Sequence, residues 1–357
     1  MTKILLLSKY SRLGASSRLR TQQYIPYLAE SNIDVTVAPL FNDAYLDTIY
    51  RNKKLSKFSL IKMLLSRIAI LFKAKKYDFL WIEKELLPYF PAFFELLLKM
   101  LGIKYVVDYD DAIFHNYDLS SNKLIKSCLS NKIDKVMKYS DVVIVGNQYL
   151  GDRAKKAGAK NVRIIPTVID ISRYPAENLT EKNKFTIGWI GSPSTQKYIV
   201  DLYETLVKLN NEIEFTLLLV GATKDIIEKL PGLDVQLFDW QESLEVIYIN
   251  KMDIGIMPLV NGPWEFGKCG YKLIQYMACS KAVVASPVGV NIDIVANNQC
   301  GLLAKDEQEW FDHLLELAKN QPLRVKYAEN GRKAVETTYC VQQQLPNLLA
   351  SFNLALT

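Results

Sequence analysis

Short apolar runs punctuate the first half of the chain, at Ile4 to Leu7, Val35 to Ala38, Phe79 to Ile82, Tyr105 to Val107 and Val142 to Val145. Each is followed by a polar turn and a longer stretch with helical spacing. Runs that are apolar without alternation read as strands buried on both faces, and the stretches between them as the crossover helices of a parallel sheet. A second series follows residue 182, with Thr186 to Ile190, Phe215 to Val220, Val235 to Phe238, Ile254 to Met257 and Ala282 to Ala285. The pattern predicts two α/β halves, each a doubly wound, Rossmann-like domain. Between them, Pro166 to Lys184 holds Pro166 and Pro175 among polar, aperiodic residues and reads as a linker. The expected division is 1–180, 181–335 and a terminal helix over 336–357 that returns to the first domain. Pro346 lies inside that last stretch and is expected to break or kink it.

Composition narrows the class. At 357 residues the chain exceeds one ordinary core and suits two domains of roughly 150 to 180 residues. Five cysteines (Cys128, Cys269, Cys279, Cys300, Cys340) form no CxxC pair and only two histidines accompany them, which argues against a zinc site and fits a reducing, cytoplasmic location. The apolar run at Ile4 is too short for a signal peptide. The stretches 58–72 and 86–103 are interrupted by Lys62 and Arg67, and by Pro88, Pro91, Glu95 and Lys99, so neither reads as a bilayer span.

Charge adds a partner. The net +6 is concentrated over residues 51–76, where Arg51, Lys53, Lys54, Lys57, Lys62, Arg67, Lys73, Lys75 and Lys76 occur with no acidic residue. Ile61, Leu64, Leu65, Ile68, Leu71 and Phe72 follow the spacing of one helical face. The segment 52–76 is therefore expected to lie on an anionic membrane surface, with Lys57, Lys62, Arg67 and Lys73 around its apolar face, and not on nucleic acid. The plainer alternative is a crossover helix packed on its sheet with solvated lysines.

Candidate chemistry gathers at strand ends. The first strand enters Ser11 to Arg18, a small-residue loop around Gly14, ahead of a helix expected over Arg18 to Glu30; it is either an ordinary tight βα turn or a place where backbone amides meet a ligand anion, and Arg18 and Arg20 favour the second, with Arg18 as an acceptor contact. In the second half, Gly191 to Lys197 repeats the arrangement. Ser192, Ser194, Thr195 and Lys197 can hold a diphosphate there, or Ser194 or Thr195 can simply cap the helix. Lys268 and Lys272, four apart, are expected on one helical face, with Gln275 on the same helix. Asp108, Asp110 and Asp111 end a first-half strand, where an open α/β sheet faces its ligand. Such carboxylates bind ligand hydroxyls or act as general base, with His115 beside them as a further ligand contact; the alternative is one capping Asp and two solvated ones. Glu83 and Glu85 end another strand, as acceptor contacts or surface ion pairs.

These blocks resemble GT-B fold glycosyltransferases of the retaining family-four type: the Gly14 loop, the loop from Gly191 to Lys197, and the run from Gly267 through Met277-Ala278 to Ser286-Pro-Val-Gly-Val-Asn291. The resemblance implies two Rossmann-like domains facing across a cleft and a nucleotide sugar on the second. It also implies a glycan or lipid-linked acceptor on the first, as in surface polysaccharide or lipopolysaccharide synthesis, with no obligate protein nucleophile, metal or further cofactor. Lys197 matches the family's diphosphate lysine. The family's arginine position reads Ser192, and its two glutamate positions read Gly267 and Gln275, with Glu265 two residues early. A non-hydrolysing UDP-sugar epimerase and a non-catalytic nucleotide-sugar-binding subunit remain open on these residues. A Rossmann dehydrogenase does not fit, because neither half carries GxGxxG.

Overall fold

The computed structural model describes residues 1–50, 55–175 and 184–356. Arg51, Lys53 and Lys54 of the basic segment, and the expected boundary near residue 180, lie outside the described residues. The chain forms two compact units. The first comprises Met1–Thr167, Gly267–Cys269 and Gln344–Thr357, and the second Val168–Phe266 and Gly270–Gln343.

The first unit is built on strands β1 (Thr2–Leu7), β2 (Ile33–Val37), β3 (Phe79–Glu83), β4 (Tyr105–Tyr109), β5 (Val142–Val145) and β6 (Val162–Ile164). They pair in parallel in the order β2-β1-β3-β4-β5-β6. Ile4 to Leu7 and Phe79 to Ile82 are fully buried. Both faces of the central strands are thus covered, which is why their sequence is continuously apolar. From Gln344 on, the terminal helix Val341–Leu356 belongs to this unit, with the Phe352 ring against Phe79 and Trp81 at 5.1 Å from each. The helix runs through Pro346 instead of breaking there; the cost is the loss of the amide that would otherwise donate to the carbonyl four residues earlier.

The second unit uses β7 (Phe185–Ile190), β8 (Phe215–Val220), β9 (Val235–Phe238), β10 (Ile254–Met257), β11 (Ala282–Ala285) and β12 (Gly301–Leu303) in the order β12-β11-β10-β7-β8-β9, again parallel. Alternate residues feed two cores: Ile190, Leu218, Val220 and Val283 on one face, Ile187, Trp189, Leu217 and Leu219 on the other.

The helix Lys57–Leu71 departs from its sequence reading. Arg67, expected in the cationic rim, is its single buried residue. It lies in the half-buried stripe of Leu64, Ile68 and Leu71, and its guanidinium donates to the Ser8 carbonyl at the end of β1. Burial pushes Arg67 down to about 9, opposed by the Glu83 charge. Apolar spacing cannot register a cation whose partner is a backbone carbonyl 59 residues away. Phe58, Ile61, Leu65 and Phe72, at i, i+3, i+7 and i+14, form a second, exposed stripe, Phe58 at 77% and Phe72 at 86%. Among the described residues, no helix is long and apolar enough to cross a membrane.

Candidate active site

In the first unit, β1 leads into a tight loop and the helix Ala15–Arg20. Gly14 is required there, since a Cβ would fall 2.3 Å from that of Tyr10. The helix spends its polar side chains on neighbouring strand ends. Ser16 Oγ donates to Asp110 at 2.6 Å, Ser17 Oγ donates to Glu83, and Arg20 bonds both oxygens of Asp108 at 2.8 and 3.3 Å while reaching the Ile165 carbonyl at 2.8 Å. Arg18 turns into its own loop, donating to the Arg12 carbonyl at 3.1 Å.

The residue that organises the acidic strand end is Lys84, which the sequence reading passed over as the centre of Glu83-Lys-Glu85. Its backbone is left-handed, with φ of +66°, and its amide donates to the Asp108 carbonyl at 3.0 Å. This turns the buried ammonium onto Asp110 at 2.9 Å and Asp111 at 3.6 Å. Burial would raise Asp110, but Lys84 and the Ser16 hydroxyl outweigh it and hold the carboxyl down to about 2. Asp111 is pushed up by burial and by the Asp110 charge, with Lys84 and Lys268 pulling the other way. Burial carries Asp108 up to about 6, with the Arg20 guanidinium pulling the other way. Two adjacent carboxylates are thus shifted in opposite directions, Asp110 held down and Asp111 pushed up.

Other predicted residues prove to be committed. Glu85, expected as an acceptor contact or in a surface ion pair, is buried and accepts from Tyr117 Oη at 2.7 Å and from the buried Lys132. Glu83 is also buried and accepts from the Lys9 amide at 3.0 Å. His115 engages both ring nitrogens, Nδ1 with Asp118 and Nε2 with Tyr149 Oη, each at 2.8 Å.

Gly267–Cys269 belongs to this first unit. Asn147 Nδ2 donates to the Lys268 carbonyl at 2.9 Å, and Cys269 Sγ lies 3.1 Å from the Asp110 carbonyl. Lys268 therefore does not share a helical face with Lys272: the helix Tyr271–Ala278 starts only after Gly270, whose φ of +67° interrupts the chain between them. At Gly267 a Cβ would fall 2.5 Å from both the backbone nitrogen and Cβ of Ala112. No side chain fits, which explains physically why no glutamate stands there.

In the second unit, β7 enters Gly191–Thr195. Ser192, and neither Ser194 nor Thr195, is the cap: it closes a capping box with Thr195, whose hydroxyl accepts from the Ser192 amide at 3.3 Å. Tyr276, on the helix Tyr271–Ala278, accepts from the Ile190 amide at 2.9 Å and donates to the Ile256 carbonyl at 3.3 Å, fixing that helix against the loop. Lys272 Nζ then stands 4.4 Å from the Trp189 ring centroid and 3.5 Å from Thr195 Oγ1. Lys197 is exposed and lies over the Tyr198 ring at 5.0 Å. Gln275 is buried on the same helix as Lys272, and its amide makes no hydrogen bond among the described residues. Glu265 accepts from Tyr198 Oη. The structure thus joins Ser192, Thr195 and Lys272 in this unit, and Asp110, Asp111 and Lys268 in the other.

Comparison with known proteins agrees with this architecture. Residues 184–320 match the model of the family described as glycosyl transferases group 1. Over 258 residues the chain is 22% identical to an uncharacterized glycosyltransferase of Methanocaldococcus jannaschii, a match covering 66% of this chain and 62% of that protein. Sucrose-phosphate synthase from Thermosynechococcus elongatus superposes with a TM-score of 0.73 at 16% identity, over 99% of this chain and 100% of that one. Anabaena HepE, solved in complex with UDP-glucose, gives 0.71 at 16% identity, over 98% and 100%. The chain has the two-domain GT-B fold, and its residues 184–320 are similar to the glycosyl transferases of group 1.

Proposed function

We propose that the protein is a retaining glycosyltransferase that moves a sugar from a UDP- or GDP-sugar to a glycan or lipid-linked acceptor of surface polysaccharide or lipopolysaccharide synthesis, with no metal or further cofactor. The carrying observation is the Lys272 ammonium set on the Gly191–Thr195 loop, within the region that matches the family. The UDP complexes of the Anabaena relative favour uridine. In this reading Lys272 and the Ser192 and Thr195 hydroxyls hold the donor diphosphate, Lys197 adds charge at the rim, and the Gln275 amide bonds the ribose. The bond from anomeric carbon to diphosphate breaks, the acceptor oxygen bonds to that carbon, and Asp111 takes the hydroxyl proton while Asp110 stays ionised.

A thermal-shift series with UDP-, GDP-, ADP- and CMP-sugars tests donor binding, and stabilisation by none of them sinks the reading. Asp111→Asn should lower turnover about 10²-fold or more with donor affinity unchanged; wild-type turnover would remove Asp111 from the chemistry.

The acceptor side is read with the helix Lys57–Leu71. Its exposed stripe of Phe58, Ile61, Leu65 and Phe72, flanked by exposed Lys57, Lys62 and Lys73, suits docking on an anionic cytoplasmic leaflet. Vesicle sedimentation of the Ile61→Ser, Leu65→Ser variant tests it, and undiminished pelleting with anionic vesicles counts against docking.

A further inference from the structure

A pocket of about 240 Å³ opens at the N-terminal edge of the first unit's sheet, lined by Lys99, Gly102, Lys104, Tyr139, Asp141 and Lys160 among others. Residues 103–104 precede β4, and Ser140 and Asp141 precede β5, so the pocket lies at the strand starts. The acidic cluster lies at the strand ends, the five residues of β4 apart, about 17 Å. This is a second site, separate from the carboxylates.

Its charge is unbalanced. Lys99 Nζ lies over the Tyr139 ring at 5.3 Å, Lys104 Nζ donates to the Leu356 carbonyl at 2.8 Å, and Lys160 is exposed. None of the three pairs with a carboxylate among the described residues. Asp141, the acid in the lining, already accepts from the Tyr105 amide at 2.9 Å. A ring and a carbonyl position two of the ammonium groups without neutralising them, and Gly102, with φ of +66° and open space where a Cβ would stand, leaves the mouth clear. Three cations around a cavity of this size call for a phosphate-bearing ligand.

The surroundings say which kind. The helix Phe93–Met100 delivers Lys99 to the pocket and exposes Phe93, Leu97 and Met100 at i, i+4 and i+7, with Leu101 following; Met100 is 74% exposed. A soluble phosphate has no use for this stripe, whereas a phospholipid does. The connections from β2 to β3 and from β3 to β4 both step in the same direction across a parallel sheet, so right-handed crossovers place the helices Lys57–Leu71 and Phe93–Met100 on one face of it. Both outward apolar stripes therefore belong to that face.

We propose that the pocket of Lys99, Lys104 and Lys160 binds the phosphate headgroup of an anionic phospholipid, with Leu97, Met100 and Leu101 meeting its acyl region. The inference extends the docking reading of the helix Lys57–Leu71 from an apolar stripe to a defined headgroup site, and is independent of the sugar transferred. Each cation lost near an anionic surface weakens partition about fivefold, so K99Q/K104Q/K160Q should bind phosphatidylglycerol vesicles on the order of a hundredfold less tightly than the wild type. Its thermal unfolding should be unchanged and phosphatidylcholine binding weak for both.

M100S/L101S should also lose vesicle binding, and millimolar glycerol 3-phosphate should compete only partly. Wild-type partition of the triple variant overturns the site. If F58S/I61S/L65S loses binding in that case, the helix reading stands without it; if the wild type ignores vesicles, both fall. Full displacement by glycerol 3-phosphate, with M100S/L101S binding vesicles like wild type, assigns the pocket to a soluble phosphate and overturns the lipid.

Discussion

The strand-end edges of the two sheets hold their polar groups in opposite ways. In the first unit the charges are buried and answered by protein: Arg20 by Asp108, Lys84 by Asp110 and Asp111, Lys132 by Glu85. In the second, the Gly191–Thr195 hydroxyls and Lys197 are largely exposed, Lys272 rests against a ring and a hydroxyl, and the Gln275 amide is without a partner among the described residues. Buried, paired charge is expensive to disturb and fixes ionisation states; exposed hydroxyls and a ring-supported ammonium cost little to hold and can be given to a ligand. Substitutions in the first unit should therefore be read out in stability and pH dependence, and those in the second in ligand affinity.

Lys84→Met tests the first half of that statement with the largest expected effect. It leaves Asp110 and Asp111 without the ammonium nearest to both, with only Arg20 and Lys268 to offset their charge, and should cost about 3 kcal/mol in denaturant unfolding. The pH dependence follows from Asp110. Its folded value, held to about 2, lies below its ordinary one, so its contribution is full above about pH 4 and is lost as pH falls towards about 2. Without Lys84 the carboxyl is no longer held down, and the acid transition should begin at higher pH. A loss under about 1 kcal/mol with an unmoved acid transition would mean the pair is not what holds this edge together.

Lys272→Met is the counterpart. It removes the contact to the Trp189 ring, worth about 0.5–1 kcal/mol, together with the long bond to Thr195 Oγ1, so unfolding should move less than for Lys84→Met. Donor affinity, read by calorimetry with UDP, should fall about 10- to 100-fold, the worth of a charge-assisted hydrogen bond. Loss of stability with affinity intact would erase the distinction between the two edges.

Gly267→Ala sharpens it at the point where second-half sequence joins the first unit. The added methyl meets the Ala112 backbone, which cannot swing aside as a side chain can, and should cost about 1–3 kcal/mol. Gly267→Glu should cost at least as much and restore no donor affinity. Improved affinity would mean this segment gives way to admit the carboxylate.

Legibility in the sequence divided along similar lines. Strands buried on both faces announced themselves by continuous apolar runs, and Ala282 to Ala285 matches β11 residue for residue. The short edge strands Val162–Ile164 and Gly301–Leu303 escaped notice: three residues each, half-exposed, one containing Arg163, they carry neither a run nor an alternation. Glycine loops and the acidic triplet were visible because small residues and carboxylates at strand ends are rare in any other role. Their partners were not. Lys84, Lys132 and Arg67 look like surface lysines and arginines in one dimension, and only the packing of distant strands buries them. A basic residue set between two carboxylates at the end of an apolar run, as in Glu83-Lys84-Glu85, is the one signal that was available.

Lys197→Ala is expected to have the smallest effect, and it tests whether exposure in the second unit means availability or irrelevance. The ammonium is held by the adjoining Tyr198 ring at 5.0 Å, an exposed contact worth about 0.5–1 kcal/mol at most. Stability should hardly change. If Lys197 lends charge to a diphosphate from the rim, solvent screens it, and the donor dissociation constant should rise only about two- to fivefold, more at low salt than at high. Lys272, nearer the loop and half-buried, should show the larger loss and the weaker salt dependence. The two variants measured together at two ionic strengths decide the matter. If Lys197→Ala costs more than Lys272→Met, the diphosphate sits at the outer end of the loop, and Lys272 is a support for Trp189 instead of a ligand contact.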